Sequence, residues 1–139
     1  IIGAKEKLDL IKNLLKHQAY KEYLGLEEFL DYIEIPQKFA CDDIKNVREQ
    51  VRNQLINGKS QIYLYGVGHV KSGLSHLLPH FKKAVYLDVG SGIDALAGII
   101  DKNRPYFGNW INYKLNNESL YKNIDYLNFT HDGSETILN

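Results

Sequence analysis

The sequence predicts an α/β fold, a Rossmann-like parallel β-α-β core preceded by an N-terminal helical segment, and three features point to it. Gln61-Ile62-Tyr63-Leu64-Tyr65 and Ala84-Val85-Tyr86-Leu87-Asp88-Val89 are β-prone runs. Each run opens into a glycine-bearing turn. Residues 70–81 between them have helical character, and strand, helix and strand together take about 30 residues, the length of a parallel crossover.

Upstream of this core, Leu8, Ile11, Leu14 and Leu15 recur at spacings of three and four among lysines and glutamates, which predicts an amphipathic helix over 4–18. Tyr23, Leu24, Leu26, Phe29, Leu30 and Ile33 predict a second helix over 20–33, stopped where Pro36 disfavours helix at Ile35. Residues 1–35 thus read as a helical segment and 36–139 as the Rossmann-like domain. Asp42 or Asp43 caps the next helix, in which Ile44, Val47, Val51 and Leu55 share one face. Asn57 and Gly58 are expected to end it in the left-handed conformation. Pro79 interrupts the 70–81 helix late, and the apolar character of 93–100 suggests a buried helix or turn of helix. Beyond Asp101, Arg104, Pro105, Tyr106, Gly108, Trp110 and Tyr113 read as a folded loop with a short strand, and Asp132-Gly133 as a turn.

Composition narrows the function classes. The 139 residues suit one domain, with 44% hydrophobic and 24% charged residues, near the globular average. Lys plus Arg equal Asp plus Glu at 17 each, so net charge gives no argument for a nucleic-acid partner. Cys41 is the one cysteine, which excludes an internal disulfide and a cysteine metal cluster and suits a reducing, cytoplasmic setting. No apolar run approaches the roughly 20 residues of a membrane span. A chain that opens on Ile1 and contains no methionine reads as a fragment of a longer protein, with a neighbouring domain as a partner for the N-terminal helices.

The chemistry is expected at the two strand ends, because glycine lets backbone approach a ligand and the first amides of a following helix can hold anions. The first turn carries Gly66, Gly68, His69 and Lys71. It is not a P-loop, since that pattern needs glycine where Tyr65 and Val70 stand. The alternative is a plain strand-to-helix turn with His69 and Lys71 solvated. The second turn carries Asp88, Gly90, Ser91, Gly92 and Asp94. Gly90 to Ala95 fits a short dinucleotide fingerprint, but no acid follows at 109–113 to hold a ribose. The same turn matches the acid-x-Gly-x-Gly opening of S-adenosylmethionine-dependent methyltransferases, with Asp94 in place of their third glycine. Two carboxylates around a glycine turn could also share a divalent metal with diphosphate oxygens. Against this, Asp88 could cap the turn and Asp94 could cap the next helix. Arg104 offers a cation for phosphate, and Tyr106 and Trp110 offer flat rings for a sugar or base, unless those rings are core.

Together, YLYGVGHVKSGL and YLDVGSGIDALAGIIDKNRPYFGNW resemble the C-terminal half of bacterial and viral sugar transferases with the D-type glycosyltransferase (GT-D) fold. The likeness spans 62–113 and rests on Leu87-Asp88 for an Ile-Asp pair, the Val89-Gly90 turn, Asp94 as second acid and the Ala97-Gly98 pair. Ala95 and Leu96 follow Asp94, where such sequences carry an Asp-x-Glu metal motif. The resemblance implies a glycosyltransferase-like domain that binds a nucleotide-sugar donor and a glycan acceptor for polysaccharide assembly. It implies Asp94 and His69 as catalytic candidates, Asp94 as the ligand of Mn²⁺ or Mg²⁺, and the remaining turn and aromatic-block residues as substrate contacts. The other two readings are a methyltransferase-like domain and a non-catalytic interaction module.

Overall fold

The structure, a computed structural model, describes residues 1–36, 40–101 and 135–137. The chain divides into two compact units, Ile1–Leu8 with Phe29–Ile93 and Asp9–Glu28 with Asp94–Asn139. The first contains a four-stranded, all-parallel sheet of β1 (Ile2–Ala4), β2 (Ile33–Ile35), β3 (Ile62–Gly66) and β4 (Val85–Asp88), in the order β2-β1-β3-β4. The expected pairing of the two glycine-ended strands holds, with Ile62 opposite Val85 and Tyr65 opposite Asp88.

The core of this unit follows from two periodicities. Along β3, Tyr63 and Tyr65 are buried while Ile62 and Leu64 alternate with them, as the pleat requires. Helix α3 (Ile44–Ile56) follows β2 and buries Val47, Val51 and Leu55, one residue per turn, so its stripe meets the sheet face that presents Ile2, Ile33, Ile35, Tyr63 and Tyr65. Asp43 caps the helix by accepting from the Asn46 amide at 3.2 Å. Tyr63 stacks on Tyr86 of β4 at a centroid distance of 5.4 Å.

Between β3 and β4 the expected single helix is a run of short turns: a 3-10 turn at Gly68–Val70, α4 (Lys71–Leu74), a 3-10 turn at Ser75–Leu77 and α5 (Leu78–Phe81). Pro79 explains the break, because its ring clashes with the carbonyl four residues back and it has no N–H to donate, so it fits only the first turn of a new helix. Gly73 sits where a Cβ would lie 2.9 Å from Ile44 Cγ1, and its carbonyl accepts from Arg48 Nε at 2.8 Å. That close approach fastens α4 to α3.

Three further expectations are corrected. The N-terminal stretch is not helical throughout: β1 precedes the first helix, α1 (Lys5–Leu14), and Ile33–Ile35 forms β2 rather than the end of a helix. The second helix, α2 (Gln18–Leu24), stops at Gly25, which takes φ 62° and gives its N–H to Glu22 O and Lys21 O. Asn57 and Gly58 do not end α3 in the left-handed region, since Asn57 has φ −92° and Gly58 is outside the positive-φ glycines. Glycine is required at 58 for space, because a Cβ there would collide with the Tyr63 hydroxyl. Of the helix or turn of helix expected over 93–100, the structure has the shorter form, α6 (Gly92–Leu96). Gly98 at φ 78° breaks it, and β5 (Ile99–Asp101) pairs antiparallel with β6 (Glu135–Ile137).

In the second unit Tyr20 is buried and donates its hydroxyl to Leu96 O at 2.7 Å, and Ile11, Leu14, Leu15, Ala97 and Ile99 are buried too. The loop expected over 104–113 and the turn at 132–133 lie outside the described residues. Among the described residues no helix is long and apolar enough to cross a membrane.

Asp31 closes the end of the sheet away from the glycine turns. Its carboxylate accepts from the amides of Lys59 at 2.9 Å and Ser60 at 2.6 Å and from the Tyr63 hydroxyl at 2.7 Å. Partial burial pushes its pKa up, but these donors outweigh that and hold it well below the ordinary carboxylate range. Burial, then the neighbouring Asp31, raises the Tyr63 phenol. A depressed carboxylate stabilises the fold above its unfolded pKa and loses that contribution as pH falls through the folded one. Asp31→Ala should therefore cost about 2 kcal/mol at neutral pH by urea denaturation. The gap from wild type should narrow once pH drops below 3.8, the ordinary value for an aspartate in an unfolded chain.

Candidate functional site

Because all four strands are parallel, their C-terminal ends share one edge of the sheet, at Ala4, Ile35, Gly66 and Asp88. The chain moves from β1 out to β2, then returns past β1 to place β3 on the other side. In open parallel sheets the crevice at such a reversal is where ligands bind, since the connections leave the two central strands in opposite directions. A cleft of about 260 Å³ opens there, lined by Ala4, Lys7, Ile35, Pro36, Cys41, Gly66, Gly68 and His69 among others.

Glycines make this edge. Gly3 and Gly66 are register partners on β1 and β3. A Cβ on Gly66 would collide with the Gly90 carbonyl and lie 2.6 Å from Ile93 Cγ1, and one on Gly3 would lie 3.3 Å from Ile93 Cγ2. The bare backbone of two adjacent strands thus seats the buried Ile93 side chain and the turn before it. Gly68 takes φ 55° and Gly90 φ 51°, conformations that L side chains adopt at a cost. The second turn is tied to β3 by Val89 N to Tyr65 O at 2.9 Å and closed by Gly92 N to Val89 O at 2.7 Å.

The expected site residues fall into separate groups. Gly66, Gly68 and His69 line the cleft, with His69 exposed in the turn Gly68–Val70. Lys71 and Asp88 do not line it. They pair with each other at 2.8 Å, and the other Asp88 oxygen accepts from Gly90 N at 3.0 Å. The Lys71 hydrogen bond lowers the Asp88 pKa, and the same bond raises that of Lys71. Asp88 therefore caps its turn, as the plain reading of that residue anticipated. Gly90 and Gly92 shape the second turn, and Ser91 between them is half-buried. Asp94 stands inside the first turn of α6, which starts at Gly92, so it is not the helix cap. Arg104, Tyr106 and Trp110 lie outside the described residues.

Two cleft residues escaped sequence reasoning. Lys7 lies in the first turn of α1, and only recognition of β1 as a strand would have marked it as a residue at a strand end. Cys41 lines the cleft and is exposed, but a lone cysteine gives no pattern to find. Among the described residues no three His, Cys, Asp or Glu side chains gather as a metal site. No family model, curated protein or solved structure matches the chain, so the site is interpreted from its own geometry.

The two glycines of the first turn should respond differently to alanine. Gly66→Ala meets backbone and the buried Ile93, so it should lose about 1–3 kcal/mol as overpacking does. Gly68→Ala has open space around it and only the left-handed penalty of about 1–2 kcal/mol to meet. Ile93→Ala is itself costly, so the measure is a double-mutant cycle by chemical denaturation: the combined loss with Gly66→Ala should fall short of the sum of the single losses, and with Gly68→Ala it should equal the sum.

Proposed function

We propose that this chain is a Rossmann-like, glycosyltransferase-like domain that binds a nucleotide-sugar in the cleft between the ends of β1 and β3. The observation that carries the reading is the cleft's position at the reversal of a parallel sheet, walled by the glycine turn after β3. Gly68, with open space where a side chain would stand, lets the diphosphate approach backbone. Lys7 supplies a cation at the cleft wall and His69 a donor or base. The resemblance of residues 62–113 to D-type glycosyltransferases selects a sugar nucleotide among phosphate-bearing ligands.

In this reading His69 takes the proton from the acceptor hydroxyl, a task that requires hydrogen-bond reach. Asp94 is the second candidate base and the candidate ligand of Mn²⁺ or Mg²⁺. Asp88 fits a metal poorly, since Lys71 and Gly90 engage both its oxygens. The methyltransferase reading places its ligand on the 88–92 turn. That turn follows β4, whose neighbour among the described strands is β3 alone, away from the reversal.

A thermal-shift panel of nucleotide-sugars, nucleoside diphosphates and S-adenosylmethionine, each with and without Mn²⁺, tests this. A ligand at about 100 times its Kd stabilises the fold by about 2.7 kcal/mol, so the nucleotide-sugar should raise the midpoint and S-adenosylmethionine should not. The reverse order would favour the methyltransferase, and no response to any ligand would favour the interaction module. His69→Ala should keep the fold and reduce the shift. Asp94→Asn should keep the fold and remove any Mn²⁺-dependent part of it, and a variant with unaltered donor binding would take Asp94 out of the site.

A further inference from the structure

The neutral net charge of the chain hides an uneven distribution. Residues 44–87 carry seven Lys and Arg but a single acid, Glu49, so sixteen of the seventeen acids lie elsewhere in the sequence. This stretch holds α3, β3 and the short helical turns that follow it. Val47, Val51 and Leu55 of α3 share one core cluster with Val70, Leu74 and Leu78, so α3 and the run from Gly68 to Phe81 form one layer over the same face of the sheet.

The cations are ordered on α3. Lys45, Arg48 and Arg52 follow one another at spacings of three and four, which places them on one stripe of the helix. That stripe is displaced by a single residue from the buried one of Val47 and Val51. Arg48 fixes the way it faces, because its Nε donates to Gly73 O at 2.8 Å, so the stripe lies on the flank next to α4. Lys45 and Arg52 are exposed, and on the adjoining segment the exposed His76 and His80 add ring N–H donors to the layer. Arg52 meets Glu49 at 3.6 Å in an exposed pair that costs little to rearrange. Asp43, ahead of the stripe, is engaged by the Asn46 amide. Lys71 is left out, since it holds Asp88.

Position joins this stripe to the cleft. Cys41 lines the cleft three residues before α3 begins, and Val70 lines it immediately before α4. The stripe therefore starts near the cleft and leads away from it over about 10 Å, at 1.5 Å per residue. Resting on the nucleotide-sugar reading of that cleft, we propose that the acceptor is a glycan bearing anionic groups, held along Lys45, Arg48 and Arg52 with its reacting end in the cleft. The planar fork of arginine suits carboxylate and phosphate alike, and lysine adds a point charge. Nucleic acid is the competing polyanion, and the start of the stripe at the cleft favours a chain that extends out of the cleft over a separately docked duplex.

Fluorescence anisotropy of the full 139-residue chain at low salt tests the proposal. The probes are a labelled hyaluronan oligosaccharide for carboxylates, a phosphomannan oligosaccharide for phosphates, a DNA duplex, and a neutral malto-oligosaccharide. One of the two anionic glycans should bind at least about tenfold more tightly than the neutral glycan and the duplex, identifying the anionic group, and high salt should weaken it. The double variant Lys45→Gln, Arg52→Gln changes two exposed positions. It should keep the circular dichroism spectrum and raise the Kd of that glycan by about tenfold. A duplex that binds more tightly than either anionic glycan overturns the proposal. So do neutral glycan binding of equal strength, no binding of either anionic glycan, and a folded double variant with unchanged Kd. Should the double variant fail to fold, Arg52→Gln alone replaces it, with a rise of about threefold. The nucleotide-sugar thermal shift separates the two readings. A donor shift without anionic-glycan binding removes the stripe and leaves the cleft reading, whereas glycan binding without a donor shift fails the cleft reading and the acceptor role with it.

Discussion

The contact on which the edge of this sheet depends is the seating of Ile93 and the Gly90 carbonyl against Gly66. A side chain on Gly66 cannot coexist with either, and its register partner Gly3 has Ile93 Cγ2 at the edge of its own space. Two strands without side chains at adjacent positions give up packing area that a valine would have filled. In exchange the turn after β4 closes onto β3, with Val89 N bonded to Tyr65 O. The glycine turns are therefore one assembly in which backbone carries the contacts, and the side chains of Lys71 and Asp88 latch it from outside at 2.8 Å. The side chain of Lys71 is 54% and that of Asp88 33% exposed, so solvent weakens the pair and its role is to fix the geometry of the two turns more than to stabilise the chain.

This arrangement redistributes the chemistry that the sequence suggests. Read linearly, the turn at 88–94 is the richer in acids and glycines. In space it follows the outer described strand, and its carboxylate at 88 is engaged by Lys71 and Gly90. The poorer-looking turn at 66–69 lies at the reversal of the sheet and faces the cleft with Lys7. The second turn thus supports the first, which is the physical basis for placing the proposed donor between β1 and β3.

Much of the first unit was legible because its signals are local. The five-residue β3, the crossover length and the apolar stripe of α3 with Asp43 at its head each fit within a short window of sequence. β1 and β2 were not, since each is three residues long and is a strand by virtue of pairing with the other across about 30 intervening residues. Ile33 in particular satisfies a helical period with Phe29 and Leu30, and only Gly25 at φ 62° and the partner strand decide against it. Missing β1 concealed the sheet reversal, and with it Lys7. Gly58 shows the complementary limit: its presence was read as a backbone requirement, whereas it answers to Tyr63 and Asp31, residues no local pattern connects to it.

The central claim is that the ligand site lies at the ends of β1 and β3, and a titration of the uniformly ¹⁵N-labelled chain with a nucleotide-sugar, followed by amide chemical shifts, tests it most directly. The account predicts that the largest changes fall on the amides of Lys5, Glu6 and Lys7 and of residues 66–69, with smaller changes at Gly90 relayed through Gly66. Changes confined to residues 88–92, with the amides around Lys7 and His69 unmoved, would contradict it.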